Sequence, residues 1–216
     1  SARSGYAYET YRNLARCGIR PVGLNFRSCS GEMNRNARIY HSGETSDAGA
    51  IARLLADRYP TVRRGMVGFS LGGNVLLKFL GEQGDGAPVD AAVSVSVPFR
   101  LGDCASRLDR GFSRVYRWNL MNKLRGKVAA KADVLADVCS VPVALNTQTF
   151  REFDDAVTAP VHGFNDADDY YAQSSSEGFL AAIRVPTLLL QSWDDPFILS
   201  VGDAHTLAQE NPYLLP

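Results

Sequence analysis

The sequence predicts an α/β fold, a mostly parallel sheet with helices on both faces and a helical segment inserted into it. Three observations carry that expectation. Short apolar runs with strand character alternate with stretches of helical periodicity along most of the chain. One predicted strand passes into a helix through a glycine-flanked turn, "GFSLGG". The alternation then breaks for one long stretch and resumes with a second apolar run, "PTLLLQS".

The elements follow in order. "YAYETYRNLARCG", from Tyr6 to Gly18, reads as a helix, with Tyr11, Leu14 and Ala15 at helical spacing and Gly18 where a C-cap would sit. "IRPVGLNF" (19–26) reads as a short buried strand and "RSCSGEMNRN" as a loop. Thr45 or Ser46 can cap a second helix, which carries Ile51, Leu54 and Leu55 on one face and ends before Pro60. "MVGF" is a strand, "LGGNVLLKFLGEQG" a helix closed by glycine, and "VDAAVSVSVPF" a β-rich run. "PTLLLQS" is another buried strand, and "SVGDAHTLAQE" a final helix.

The break, at about 99–176, is too long for a loop. Within it Val115, Trp118, Met121, Leu124 and Val128 form a helical stripe, so the stretch reads as a helical cap inserted into a single domain over 1–216. Its charge is polarised: +7 net over 107–131 and −6 over 151–177. Two readings fit. The halves neutralise each other, as blocks of charge on solvated faces do, or the basic half makes peripheral contact with an anionic membrane.

Net charge is zero, which gives no footprint for nucleic acid, and no apolar run approaches the ~20 residues of a membrane span. Cys17, Cys29, Cys104 and Cys139 are scattered and form no C-x-x-C pair, which suits free thiols in a reducing compartment such as the cytoplasm. The histidines do not cluster with them, so no zinc site is expected. Ser1 and Pro216 do not look like natural termini, and the chain reads as a fragment.

The chemistry lies at Gly68-Phe69-Ser70-Leu71-Gly72. This G-x-S-x-G stands between an apolar strand and a helix, as a nucleophile elbow requires. The turn projects the serine hydroxyl from the top of the sheet. Residues two before and two after must be small, and Gly73 lets the helix start close to the strand. The helix N-terminus offers N–H groups where an oxyanion would develop, with Leu71 the expected donor. A phosphate-binding loop would need G-K-[ST], which "GGNVLLK" lacks. The serine needs a base, and the base an orienting carboxylate, in the chain order Ser, acid, His. "LLLQSWDDPFI" supplies the acid, Asp195 in preference to Asp194, which reads as a turn residue. No histidine fits well. His41 and His162 precede the acid, and His205 falls within the predicted final helix, packed away from Ser70.

The chain resembles the YheT-like α/β-hydrolases, whose eukaryotic relatives are alpha/beta-hydrolase domain proteins acting on lipid esters. "LNFRSCSGEMNR", "YHSGETSD", "GFSLGGNVLLKFLGE", "FREFDDAVTAPVHGF", "DADDYY" and "DDPF" look like the family's blocks in the family's order, over nearly the whole chain. The resemblance implies Ser70 as nucleophile, Asp195 as triad acid, and cofactor-free cleavage of carboxylic esters, small or lipid. Ser28 stands where the family often has glycine. The family's H-G-L-x-G oxyanion loop would fall just before Ser1 and its G-G-H histidine past Pro216. On the residues alone, a non-catalytic binding protein and an acyltransferase, amidase or thioesterase on the same triad stay open. Trp118, Phe153 and Tyr170 are candidate pocket walls or core, and Asp154 and Asp155 caps or ion-pair partners of the basic half.

Overall fold

The computed structural model describes residues 2–195, 197, 206 and 208–216. Four parallel strands form one sheet in the order β1-β2-β3-β4: β1 (Gly65–Phe69), β2 (Ala91–Val95), β3 (Thr187–Leu190) and β4 (Leu214–Leu215). Helix α1 (Gly5–Arg16) and α2 (Ser46–Arg58) precede β1, and α3 (Leu71–Gln83) joins β1 to β2. Seven further α-helices lie between β2 and β3: α4 (Leu101–Leu108), α5 (Ser113–Ala130), α6 (Ala132–Leu135), α7 (Val141–Asn146), α8 (Phe150–Phe153), α9 (Ala159–His162) and α10 (Ala167–Ser174). The predicted final helix, at 200–210, lies largely outside the described residues.

One face of the sheet builds the core. Leu76, Leu77, Phe79 and Leu80 of α3 pack on Ala92, Leu189 and Leu214, and Leu180 and Ile183 close the far side. Each such side chain contributes roughly 1.5–3 kcal/mol by leaving water. The other face is half covered. Tyr6 of α1 lies over Phe69, ring centroids 4.9 Å apart, but the cross-strand row Val67, Val93, Leu188 and Leu215 is open at Val67, Leu188 and Leu215. "PTLLLQS" is therefore half-buried rather than buried: Thr187 and Leu189 face the core while Leu188 and Leu190 face out.

Two predicted elements change. "IRPVGLNF" forms no strand and exposes Ile19, Val22 and Leu24. A strand exists only through a neighbour's ladder, and β1, at the sheet edge, pairs with β2 alone among the described strands. Helix α2 turns a different face inward. Ala48, Gly49 and Ala52 are buried, whereas Leu54 is 57% exposed; small residues let α2 approach α3 closely. Neither Thr45 nor Ser46 caps that helix through its side chain. Glu44 does so, its Oε1 accepting the Ser46 N–H at 3.0 Å.

The inserted helices have their own core, Met121, Val128, Leu135, Ala144, Phe153 and Val157, which also takes in Ile39. The expected stripe on α5 holds only in its second half: Met121 and Val128 are buried, but Val115 and Trp118 face solvent. Phe153 and Tyr170 are core residues. Among the described residues no ion pair joins the basic half to the acidic half. Arg125 and Lys131 donate instead to backbone carbonyls, of Thr147 and Arg38, and Arg117 pairs with Asp109. Asp154 is buried in a single π-helical turn (Asp154–Thr158), where it accepts from the hydroxyls of Thr158 at 2.6 Å and Tyr171 at 2.8 Å. Asp155 accepts the Ala167 N–H at 2.7 Å.

The insertion leaves and rejoins the sheet through a zipped neck. The Glu177 N–H donates to the Phe99 carbonyl at 3.2 Å, the Leu101 N–H to Ser175 Oγ at 3.1 Å, and Arg100 Nε to Glu177 Oε1 at 2.6 Å. Asn74 of α3, fully buried, holds this neck from below. Its Nδ2 donates to the carbonyls of Ser42 and Ser174, both at 2.8 Å, and its Oδ1 accepts the Ser176 N–H at 2.9 Å.

Candidate active site

Ser70 stands between β1 and α3 with φ 51° and ψ −122°. Left-handed backbone is costly for a residue bearing Cβ and persists only where its surroundings impose it. Here they do. The Ser70 N–H extends the sheet by donating to the Val95 carbonyl at 2.8 Å, and its own carbonyl accepts the N–H groups of Gly73 at 2.8 Å and Asn74 at 3.1 Å. The residue is solvent-exposed, and its hydroxyl has no hydrogen-bond partner among the described residues. The Leu71 N–H, the first of α3, has no described acceptor either.

The two glycines that the turn requires are Gly68 and Gly73. A Cβ on Gly68 would lie 2.5 Å from the Gly72 carbonyl oxygen, and one on Gly73 would lie 2.5 Å from Val97 Cγ2. At Gly72 a Cβ would meet only Phe26, at an ordinary 3.9 Å, so the expected crowding two residues after the serine falls one residue later. Gly68→Ala is expected to cost about 1–3 kcal/mol, because the clash is with backbone that cannot yield without moving the turn. A urea titration of the variant against the parent measures it.

Asp195 follows β3, and both its oxygens are held. Oδ1 accepts the Phe197 N–H at 2.9 Å and Oδ2 accepts from Gln191 Nε2 at 3.2 Å. Gln191 Oε1 in turn accepts the Val97 N–H at 2.8 Å, just past β2. One amide thus ties the acid loop to the neighbouring strand end. Asp194 is fully exposed and takes the Ser192 hydroxyl, which holds its carboxyl below the usual range. Ser70 and Asp195 therefore share the carboxyl edge of the sheet, where open α/β sheets place their sites. They follow strands separated by β2, a span of about 10 Å at normal strand spacing.

Neither His41 nor His162 makes a described hydrogen bond to Ser70 or Asp195. His41 and His162 stack on each other, centroids 4.3 Å apart, with Phe164 and Tyr170 around His41. They line a cavity of about 500 Å³ with Arg38 and Glu44. His41 Nδ1 accepts the Gly43 N–H at 3.2 Å, and His162 Nε2 is buried without a described partner. Burial, then the neighbouring His162, pushes His41 down to about 3; burial, then Arg38, pushes His162 down to about 4. His205 lies outside the described residues.

The sign of the pH effect follows. Both imidazoles bind protons more weakly folded than unfolded, so their contribution is full above about pH 6.5 and is lost as pH falls toward 4 and 3. Burial of Asp154 acts the other way, raising its carboxyl to about 6, but two groups outweigh one. Stability is expected to fall by on the order of 1 kcal/mol per pH unit between pH 6 and 4, and His162→Phe should flatten that slope in urea titrations.

No protein-family model matches the chain. Among curated proteins it is 42% identical over 200 residues to YheT of Escherichia coli (strain K12), which carries an esterase name, covering 92% of this chain and 59% of that protein. Over most of its length the chain is similar to this YheT protein. Phospholipase ABHD3 of Mus musculus is 29% identical over 98% of this chain and 52% of its own length. Monoacylglycerol lipase of Saccharomyces cerevisiae (strain ATCC 204508 / S288c) is 30% identical over 89% and 44%. The chain thus spans about half the length of these relatives. A solved esterase from Pyrococcus furiosus superposes over 96% of this chain and 63% of its own, with a TM-score of 0.57 at 16% identity, which shows the shared fold. Ser28, at the position where the resemblance implies glycine, has φ 58°.

Proposed function

We propose that this chain carries the nucleophile and the orienting acid of a serine hydrolase that cleaves carboxylic esters, lipid esters among them. The observation that carries the reading is the forced left-handed backbone of an exposed Ser70 at the head of α3; the names of its relatives support esters as the substrate class.

In this reading Ser70 Oγ attacks the ester carbonyl while a histidine takes its proton. The oxyanion binds the Leu71 N–H and a second backbone N–H contributed from an upstream loop. The imidazolium returns its proton to the leaving alcohol, and water then releases the acyl group from Ser70. Neither His41 nor His162 takes that role in this reading, since both line the cavity with Arg38 and Glu44 and burial makes both weak proton acceptors. Asp195 holds the base in its tautomer and stabilises its charged form. The helical insertion is the cap that shapes the acyl pocket.

The protein expressed from its complete gene should react with a fluorophosphonate at Ser70 and hydrolyse p-nitrophenyl esters. Absence of an adduct would overturn the reading, and turnover of amides alone would replace esterase with amidase. Gln191 has a positioning role here. Gln191→Leu should lower kcat by roughly 10- to 100-fold with little change in KM, because the acid loop loses its tie to Val97 while the acyl pocket is untouched.

A further inference from the structure

The first half of α5 carries an apolar surface that is largely exposed among the described residues. Phe112, just before the helix, is 78% exposed, Trp118 65% and Val115 56%, with Tyr116 and Leu120 beside them. Large side chains so placed do not stabilise the fold, and a contiguous patch of them marks a docking site. Its rim is cationic. Arg110, Arg114 and Lys123 are exposed, and none makes an ion pair among the described residues. The patch also reaches the acid loop: the Tyr116 ring meets Phe197, two residues past Asp195, at 5.0 Å in edge-on contact.

We propose that this face seats the protein on an anionic lipid surface. Aromatic rings with polar tips suit the headgroup level, and exposed arginine and lysine beside them gain from the negative surface potential. A second copy is a poor occupant, because a two-fold contact through the same patch would set Arg110, Arg114 and Lys123 against themselves. Binding here delivers the lipid to the mouth beside Asp195; that consequence rests on the proposed ester hydrolysis, whereas the docking itself does not.

The test is co-sedimentation with vesicles of phosphatidylcholine alone or with about 30% phosphatidylglycerol. The chain should bind the anionic vesicles and release at about 0.5 M salt. Both Phe112→Ala/Trp118→Ala and Arg110→Glu/Arg114→Glu should lower binding about tenfold or more. All four positions are solvent-exposed, so neither variant removes core. Ser70→Ala should bind like the parent, which separates docking from catalysis. Equal binding to both vesicle types, no binding, or full binding by both double variants would overturn the proposal. So would a dimer in light scattering that Trp118→Ala converts to a monomer, which would make this face a self-contact.

Discussion

Ser70→Ala is expected to lower ester hydrolysis by about four orders of magnitude or more while leaving stability within about 0.5 kcal/mol of the parent. The activity arm follows from losing the attacking atom, for which a turn of fixed geometry offers no substitute. The stability arm follows from the surroundings. Ser70 is exposed and its hydroxyl has no described partner, so no hydrogen bond is lost, and alanine tolerates φ 51° as poorly as serine does. Steady-state rates on a soluble ester, paired with urea midpoints, measure both. Ser70→Gly should be equally inactive but more stable by about 1 kcal/mol, since glycine adopts this backbone without strain. An alanine variant retaining a tenth of the parent rate would mean that another group attacks.

Asn74→Ala is expected to cost about 3–5 kcal/mol. The amide is fully buried and makes three hydrogen bonds of 2.8, 2.8 and 2.9 Å. Truncation leaves the carbonyls of Ser42 and Ser174 and the N–H of Ser176 without it, each worth roughly 1–3 kcal/mol when unmet. Asn74→Asp should be no better, because a carboxylate can accept from Ser176 but offers nothing to the two carbonyls. Thermal and urea unfolding check both. A loss under 1 kcal/mol would show that other groups or water can take over at this junction.

The strands and helix around Ser70 were legible because their signals are local: an apolar run, a glycine-bounded turn, and a 3.6-residue period from Leu71 onward. The position of Asp195 at the carboxyl edge of the sheet was legible from its place after an apolar run. Other features depended on distant residues. Asn74 reaches partners 32, 100 and 102 positions away, and nothing within its helix marks it. Gln191 looked like the polar end of a strand, and its service to Asp195 appears only once β2 lies beside β3. The period of α5 was correct, but periodicity cannot say whether both ends of a stripe find a core, and Val115 and Trp118 do not. The charge blocks suggested mutual neutralisation, whereas backbone carbonyls took up Arg125 and Lys131.

The zipped neck has a mechanical consequence. A lid that swings as a rigid body needs a hinge, a few residues free to change φ and ψ without breaking contacts. Phe99, Arg100 and Leu101 are instead tied across to Ser175 and Glu177, and Asn74 fastens the same junction to the helix that carries Ser70. Swinging the insertion open would break several buried bonds at once. Gating of the serine should therefore come from the far end, where α5 meets the acid loop through Tyr116 and Phe197, while the root stays still.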